Sequence, residues 1–397
     1  MSKAYYDRLK PISFVLRVVT PVNIGDGTSL SPIEYLYNYK ENTVMLLHQL
    51  EWHQYLKRKR LLAEYEKYLT YLKSKPIPLY DWLTRLLSRH DFSEIQLGLA
   101  VRAKIKANSQ EYSSDSKKSL NTFQTCLRSV SGDVYIPGSS IKGVIRTAIL
   151  YHLLKQDKKT CEELKKEINK LINSNYRGNI SGKLNAISRS YEEKLLHKKV
   201  TEESAGRTIE INQLLFRGIS CSDAISKNKT TTQVLQKVDL LLSGNKIVRY
   251  LPLFRESILG GSEFHFTITL DMKLMKLFGI QSGQQLIDIV EDYTKSINSL
   301  LFGAFKESHS AVFQTLKDMN MYIGNNTGFL HKTLFAALYD KPEDIVTITK
   351  RILKERDKGI DFKHELDSII SPRTLKATKI DGQLVLTGGV KISVEDK

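Results

Sequence analysis

Two stretches of this chain are built to one plan, and that repetition limits the folds open to it. Val134–Leu150 reads VYIPGSSIKGVIRTAIL, and Met321–Leu338 reads MYIGNNTGFLHKTLFAAL. Each runs from a short β-branched or aromatic segment through a glycine turn into the apolar spacing of a helix. Each also stands downstream of a long alternating strand. In the first, Ile95, Leu97, Leu99, Val101, Ala103, Ile105 and Ala107 fall on one face by period two. In the second, EFHFTITL follows Gly260-Gly261 and sets Phe264, Phe266, Ile268 and Leu270 against His265, Thr267 and Thr269. Strand, glycine turn and helix, twice over, imply an internal duplication carried by architecture more than by residue identity. At 397 residues, and about 100–200 per domain, two domains are expected.

The first turn has the chemistry of an anion site. Ser139 or Ser140 is placed to cap the helix through its hydroxyl. Ile141, Val144, Ile145, Ala148 and Ile149 form the buried face, while Lys142 and Arg146, four apart, lie off it. Replacing those two cations should therefore cost little stability. A helix start with free N–H groups and two nearby cations attracts anions. It is not a nucleotide P-loop: Gly138 and Gly143 have the right separation, but Val144 and Ile145 stand where Lys and Ser/Thr are required. A plain turn with a solvated basic helix face satisfies the same residues.

Charge narrows the partner. Lys and Arg total 60 against 43 Asp and Glu, a net charge of +17 with pI near 9.5. Such an excess suits nucleic acid or an acidic membrane surface. No apolar run approaches the roughly 18 residues of a membrane span, and MSKAYYDRLKP lacks the apolar core of a secretory leader. Cys126, Cys161 and Cys221 are far apart with no CxxC pair, so neither zinc nor redox chemistry is expected and a reduced cytoplasmic setting fits best.

Elsewhere, Ile12–Val19 reads as a strand entering the turn-rich TPVNIGDGTSLSP, with Gly25 and Gly27. Tyr35, Tyr37 and Tyr39 alternate, a turn follows at Asn42, and Thr43–Leu47 completes a hairpin. Leu50–Ser74, which carries the basic run Lys57–Arg60, and Leu79–Leu87 read as helices, as do residues 283–302. Residues 155–203 mix charges as solvated helices, with loops at Gly178, Gly182 and Gly206. Arg102, Lys104 and Lys106 make a basic ladder on the polar face of the first alternating strand. That ladder suits either an edge strand protected from pairing or a surface that tracks a nucleic-acid backbone.

Candidate catalytic groups are sparse. Metal-free RNA cleavage needs a general base and acid within reach of a ribose 2′-hydroxyl. His48, His53 or His331 could serve, and surface or packing roles suit them equally; His265 lies on a strand's polar face. None has metal-ligand spacing such as HExxH. Asp26, between Gly25 and Gly27, fits turn geometry. The three tyrosines suit base stacking or core packing.

IPGSSIKGVIRTAIL resembles the signature of the RAMP superfamily of CRISPR-associated RNA-binding proteins. TPVNIGDGTSLSPIEYLY, YLPLFRESILGGSEFHFTITL, MYIGNNTGFLHKT and SPRTLKATKIDGQLVLTGGVKI, in order from residue 20 to 392, resemble the fifth subunits of type III-A Csm effector complexes. The resemblance implies an α+β chain of two ferredoxin-like (RRM-type) domains with glycine-rich loops and helical insertions. These would be residues 1–245, with insertions near 50–92 and 153–206, and residues 246–397. It implies a non-catalytic scaffold, without metal or cofactor, that caps the filament at the 3′ side of the CRISPR RNA and assists maturation of that end. Its partners would be CRISPR RNA and neighbouring Csm subunits, with target RNA left open.

The superfamily's phosphate-contacting turns map onto Gly138, Ser139, Ser140 and Gly143, with Lys142 and Arg146, and onto Gly324 and Gly328, with Lys332. Arg102, Lys104 and Lys106 would extend the RNA surface. The target-cutting subunit of these complexes uses an early-loop aspartate. Here Asp26 precedes Gly27 and no acid follows until Glu34, so that residue does not carry over. The competing readings are a RAMP endoribonuclease that processes precursor CRISPR RNA with His48 or His53, and an unrelated basic protein of membrane surfaces.

Overall fold

The structure, a computed structural model, describes residues 8–71, 77–87, 100–108, 120–174, 178–204, 207–242, 247–339, 341–356 and 367–395. The chain opens with β1 (Leu9–Val18), β2 (Gly25–Leu30), β3 (Tyr35–Asn38) and β4 (Thr43–Leu47). Helices α1 (Gln49–Arg58), α2 (Leu62–Tyr71) and α3 (Leu79–Leu86) lead to β5 (Val101–Asn108), β6 (Phe123–Cys126) and β7 (Tyr135–Ile136). Then come α4 (Gly138–Gln156), α5 (Lys158–Asn173), α6 (Ile180–Leu196) and the hairpin β8 (His197–Ser204) and β9 (Arg207–Leu214). Strands β10 (Ile219–Cys221), β11 (Ala224–Ile225), β12 (Thr232–Leu241), β13 (Val248–Ile258) and β14 (Glu263–Asp271) follow. The last elements are α7 (Met272–Leu277), α8 (Gly283–Gln314), β15 (Met321–Tyr322), α9 (Phe335–Leu338), α10 (Pro342–Arg356), β16 (Thr374–Ile380), β17 (Gln383–Leu386) and β18 (Gly389–Val394).

The fold is α+β, two ferredoxin-like units built on curled sheets. A seven-stranded sheet runs β15-β18-β1-β14-β11-β7, with β10 also on β14. A nine-stranded sheet runs β2-β6-β13-β12-β5-β4-β3, with β16 on β12 and β17 on β16. Strands from both sides of residue 245 interleave in each sheet, so the two halves share their cores. The alternation of β14 is realised directly: Phe266 lies opposite Phe14 of β1, their rings stacked 5.4 Å apart. Helix α4 buries Ile141, Ile145, Ala148 and Ile149 completely, four of the five residues of the stripe read from the sequence, and leaves the fifth, Val144, half-buried. Each isoleucine contributes about 1.5–3 kcal/mol, and Ala148 less. Trp52, Tyr55, Leu56, Tyr68 and Leu83 form a separate small core under β3 and β4.

Several local expectations are revised. The helix read over Leu50–Ser74 is two helices, and its residues 72–74 lie outside the described chain. The break is a Schellman ending: Leu61 N–H donates to Leu56 O, and Arg60 N–H to Lys57 O. Arg60 sits at φ 57° in the left-handed position that glycine usually fills.

Of the first alternating strand, residues 95–99 lie outside the described residues, as does Gly206. The described part, β5, is an interior strand, antiparallel to β4 and parallel to β12. Lys104 and Lys106 are exposed on it, but protecting an edge is not their task. In the second repeat the expected helix is only a 3-10 turn, Leu330–Lys332, and the one-turn α9. Thr333 is extended (φ −127°, ψ 162°) and divides them.

Candidate nucleic-acid interface

The first glycine turn is more occupied by its own protein than its sequence implies. Helix α4 is capped by Pro137, with no side-chain cap from Ser139 or Ser140. Gly138 N–H donates to Asp223 Oδ1 at 2.8 Å, so a carboxylate of the protein already sits at the positive helix end. A Cβ on Gly138 would stand 2.4 Å from the Cys221 carbonyl oxygen and 2.6 Å from that of Ser222. This glycine therefore admits the protein's own backbone, not a ligand's.

Lys142 Nζ donates to the carbonyls of Phe216 and Ile219. Arg146 pairs with Glu192 and lies over the Phe216 ring, 5.7 Å from its centroid. The two cations pin the segment before β10, which corrects the expectation that both are dispensable to stability. Lys142→Ala should lower unfolding free energy by about 1–3 kcal/mol, since two inward carbonyls lose their donor. Denaturant titration beside wild type checks this.

A groove of about 460 Å³ lies beyond that turn. The two repeats face each other across it: Ser140, Gly143 and Thr147 from α4 on one wall, Gly324, Asn325 and Lys332 on the other, with Gly25 between. Strands β7 and β15 are at opposite ends of the seven-stranded order, so the curl of the sheet brings their turns together. A Cβ on Gly143 would meet nothing within 4 Å, and the bare helix surface there leaves the groove open. Gly324 (φ 90°) must be glycine, because a Cβ would lie 2.4 Å from the Asn23 carbonyl oxygen. Asn325 N–H donates to that same oxygen at 2.8 Å, which ties the second turn to the segment entering β2. Lys332 is exposed and has no ion pair among the described residues. No acidic residue lines the groove among those described.

His331 closes the inner end. Its ring packs edge-on to Tyr322, centroids 4.0 Å apart. Although the residue is partly exposed, both ring nitrogens are buried without a hydrogen-bond partner. Burial, and secondarily Lys332, pull its pKa down to about 3. The ring is thus neutral near pH 7 and a poor general base. An unfolded chain would bind a proton there near pH 6.5, so His331 contributes stability above that pH and loses it as pH falls toward 3. The slope is at most about 1.4 kcal/mol per pH unit. Comparing the acid limb of His331→Phe with wild type, which should be steeper, checks the sign.

Of the residues singled out from sequence, Ser140, Gly143, Gly324 and Lys332 converge on this groove. Gly138 packs behind it, Gly328 (φ 107°) shapes the turn against His331, and Ser139 is exposed outside the lining. Lys142 and Arg146 face the 216–219 segment. Lys104 and Lys106 belong to the other sheet, and the side chain of Arg102 lies outside the described residues. Asn325 and Thr147 were not foreseen, although the NNT between two glycines hints at the first.

His48 and His53 are exposed at α1, outside the groove lining, and His265 contacts Glu395 at 2.9 Å. Asp26 accepts from Thr28 N–H at 2.8 Å, the local turn bond its position implies. Tyr35 and Tyr37 are buried core residues. Among the described residues no group of His, Cys, Asp and Glu could hold a metal ion, and no helix is long and apolar enough to cross a membrane.

The family model of the RAMP superfamily matches residues 15–329, and the chain belongs to that superfamily. Within it, similarity runs to proteins described as CRISPR system protein Csm5. That of Mycobacterium tuberculosis H37Rv is 22% identical over 97% of this chain and 98% of its own length. That of Streptococcus thermophilus is 24% identical over 81% and 79%. A chain from the cryo-EM structure of a Csm–crRNA–target RNA ternary complex of a type III-A CRISPR–Cas system shares the fold, with TM-score 0.58, 18% identity, and coverage of 96% and 100%. The crystal structure of T. onnurineus Csm5 gives 0.54 at 17% identity, covering 95% and 99%.

Proposed function

We propose that this chain is a Csm5-type subunit of a type III-A Csm complex and that its groove holds backbone phosphates of the CRISPR RNA. The observation that carries this is the meeting of two glycine turns, from distant parts of the sequence, on a groove that among the described residues has a lysine without an ion pair and no acid. Ser140 and Lys332 supply donors, the bare surface of Gly143 admits a sugar–phosphate strand, and Gly324 lets the second turn close on the Asn23 carbonyl. Contacts of this kind position a strand without reading bases, which suits a scaffold whose guide sequence varies. Arg146, Lys142 and Gly328 would act from behind by holding the walls, and Lys104 and Lys106, with Arg102, would add charge on the second sheet.

In the complex the subunit, its halves 1–245 and 246–397 interleaved in both sheets, caps the filament at the RNA's 3′ side and assists maturation of that end. We read it as a scaffold that does not cut, a reading supported by His331, the histidine lining the groove, whose ring nitrogens are both buried. Deleting it in the host should yield CRISPR RNAs with altered or longer 3′ ends and unchanged 5′ ends, read by end-mapping sequencing. Changed 5′ ends with normal 3′ ends would place it at the opposite end.

A further inference from the structure

A second cluster of cations lies on the nine-stranded sheet, beyond the groove. Lys237 on β12 and Arg255 on β13 line a pocket of about 20 Å³, room for one oxygen atom of an anion or a water. Lys376 on β16 stands nearby, and Asp239 is the one carboxylate paired with the cluster among the described residues. Asp239 is committed to Lys376 at 2.9 Å, with Lys237 at 3.9 Å. Arg255 has no carboxylate among the described residues: Nε donates to Gln124 Oε1 at 2.9 Å, and Nη1 is buried with no partner.

The neutral groups of the wall are already bonded within the protein. Asn23 donates to the Glu256 carbonyl, Asn325 to Asn23, Asn326 to Thr387, and Thr378 to the Gln236 carbonyl. The Lys237 side chain is only 17% exposed. Burial, with Lys376 adding to it, lowers the ammonium pKa of Lys237 below its ordinary value, and burial does the same to Arg255. Half-buried cations short of counter-charge oppose folding. Groups held at such a cost mark candidate ligand sites.

We propose that Lys237 and Arg255 form a phosphate subsite in which a non-bridging oxygen of an RNA phosphodiester enters the pocket and accepts from both side chains. Nucleic acid is favoured over other polyanions because Asn325 lines both this pocket and the groove. A strand leaving the groove crosses the Asn325–Asn326 turn onto Arg255. Lys106 lies opposite Gln233, and Gln233 opposite Ser257, so Lys106 shares the face and extends the track. The assignment of RNA rests on the reading of the groove.

The test uses the full chain and RNAs of unrelated sequence, titrated across salt. In Lys237→Gln and in Arg255→Gln the salt slope should fall by about 0.7 for each lost contact. Tm in Lys237→Gln should stay level or rise, because crowding is relieved. Inorganic phosphate should raise the Tm of wild type and not that of Lys237→Gln. Unchanged affinity and slope in both variants would overturn the proposal, as would losses that only accompany a lower Tm in both. A phosphate effect on Tm without any effect on RNA binding would mark a small-anion site and overturn the RNA assignment. If Gly143→Glu leaves RNA binding intact while Lys237→Gln weakens it, the groove reading fails and the subsite stands.

Discussion

Gly143→Glu should weaken binding to RNAs of unrelated sequence by tenfold or more while leaving the protein at least as stable as wild type. Gly143 lies inside α4, and a Cβ there meets nothing within 4 Å, so the longer side chain causes no clash. Glycine inside a helix costs about 0.5–1 kcal/mol relative to alanine, so the substitution favours the helix. The carboxylate would extend into the groove toward Lys332, where we propose that phosphate binds. Two like charges about 6 Å apart at an effective dielectric of about 20 repel by roughly 3 kcal/mol, up to about a hundredfold in affinity. Gly143→Ala separates charge from bulk: it should stabilise α4 similarly and affect binding much less. Filter binding and thermal unfolding of the three proteins read both effects.

The other glycine of the same motif should behave in the opposite way. Gly138→Val is expected to destabilise the fold by at least about 3 kcal/mol, because its Cβ would lie 2.4 and 2.6 Å from two backbone oxygens that cannot swing aside. Even Gly138→Ala meets the same contacts. Denaturant midpoints, or failure to recover soluble protein, report this. Five residues apart, one glycine keeps a surface open and the other admits the protein's own chain. An equal effect of both substitutions on stability would refute that division of labour.

Patterns that repeat locally could be read without a structure. The strand Phe264–Leu270 announces itself by alternation and α4 by its isoleucines, because each period is a direct image of which face is buried. The two glycine turns were visible, and so was their pairing as repeats. Their convergence was not, because it depends on the curl of a sheet whose ends, β7 and β15, are far apart in sequence.

Long-range bonds hid the rest. The N–H of Gly138 is taken by Asp223, 85 residues on, and the ammonium of Lys142 by carbonyls 74 and 77 residues on. Nothing near either residue signals those partners, so both looked available to a ligand. Likewise β5 resembles a basic edge strand until β12, more than a hundred residues later, pairs alongside it. The cluster of Lys237, Arg255 and Lys376 left no motif because three different strands assemble it.

The most direct test of the groove is a photo-crosslink from within it. Thr147 lines the groove on α4, so p-azidophenylalanine in its place puts the reactive group at the groove. The substituted subunit is expressed in its host, the complex is purified and irradiated, and the crosslinked RNA is sequenced. The account predicts crosslinks to the 3′ portion of CRISPR RNAs at a fixed distance from one end, whatever the spacer sequence. Crosslinks confined to protein, or spread along the RNA according to its sequence, would contradict it.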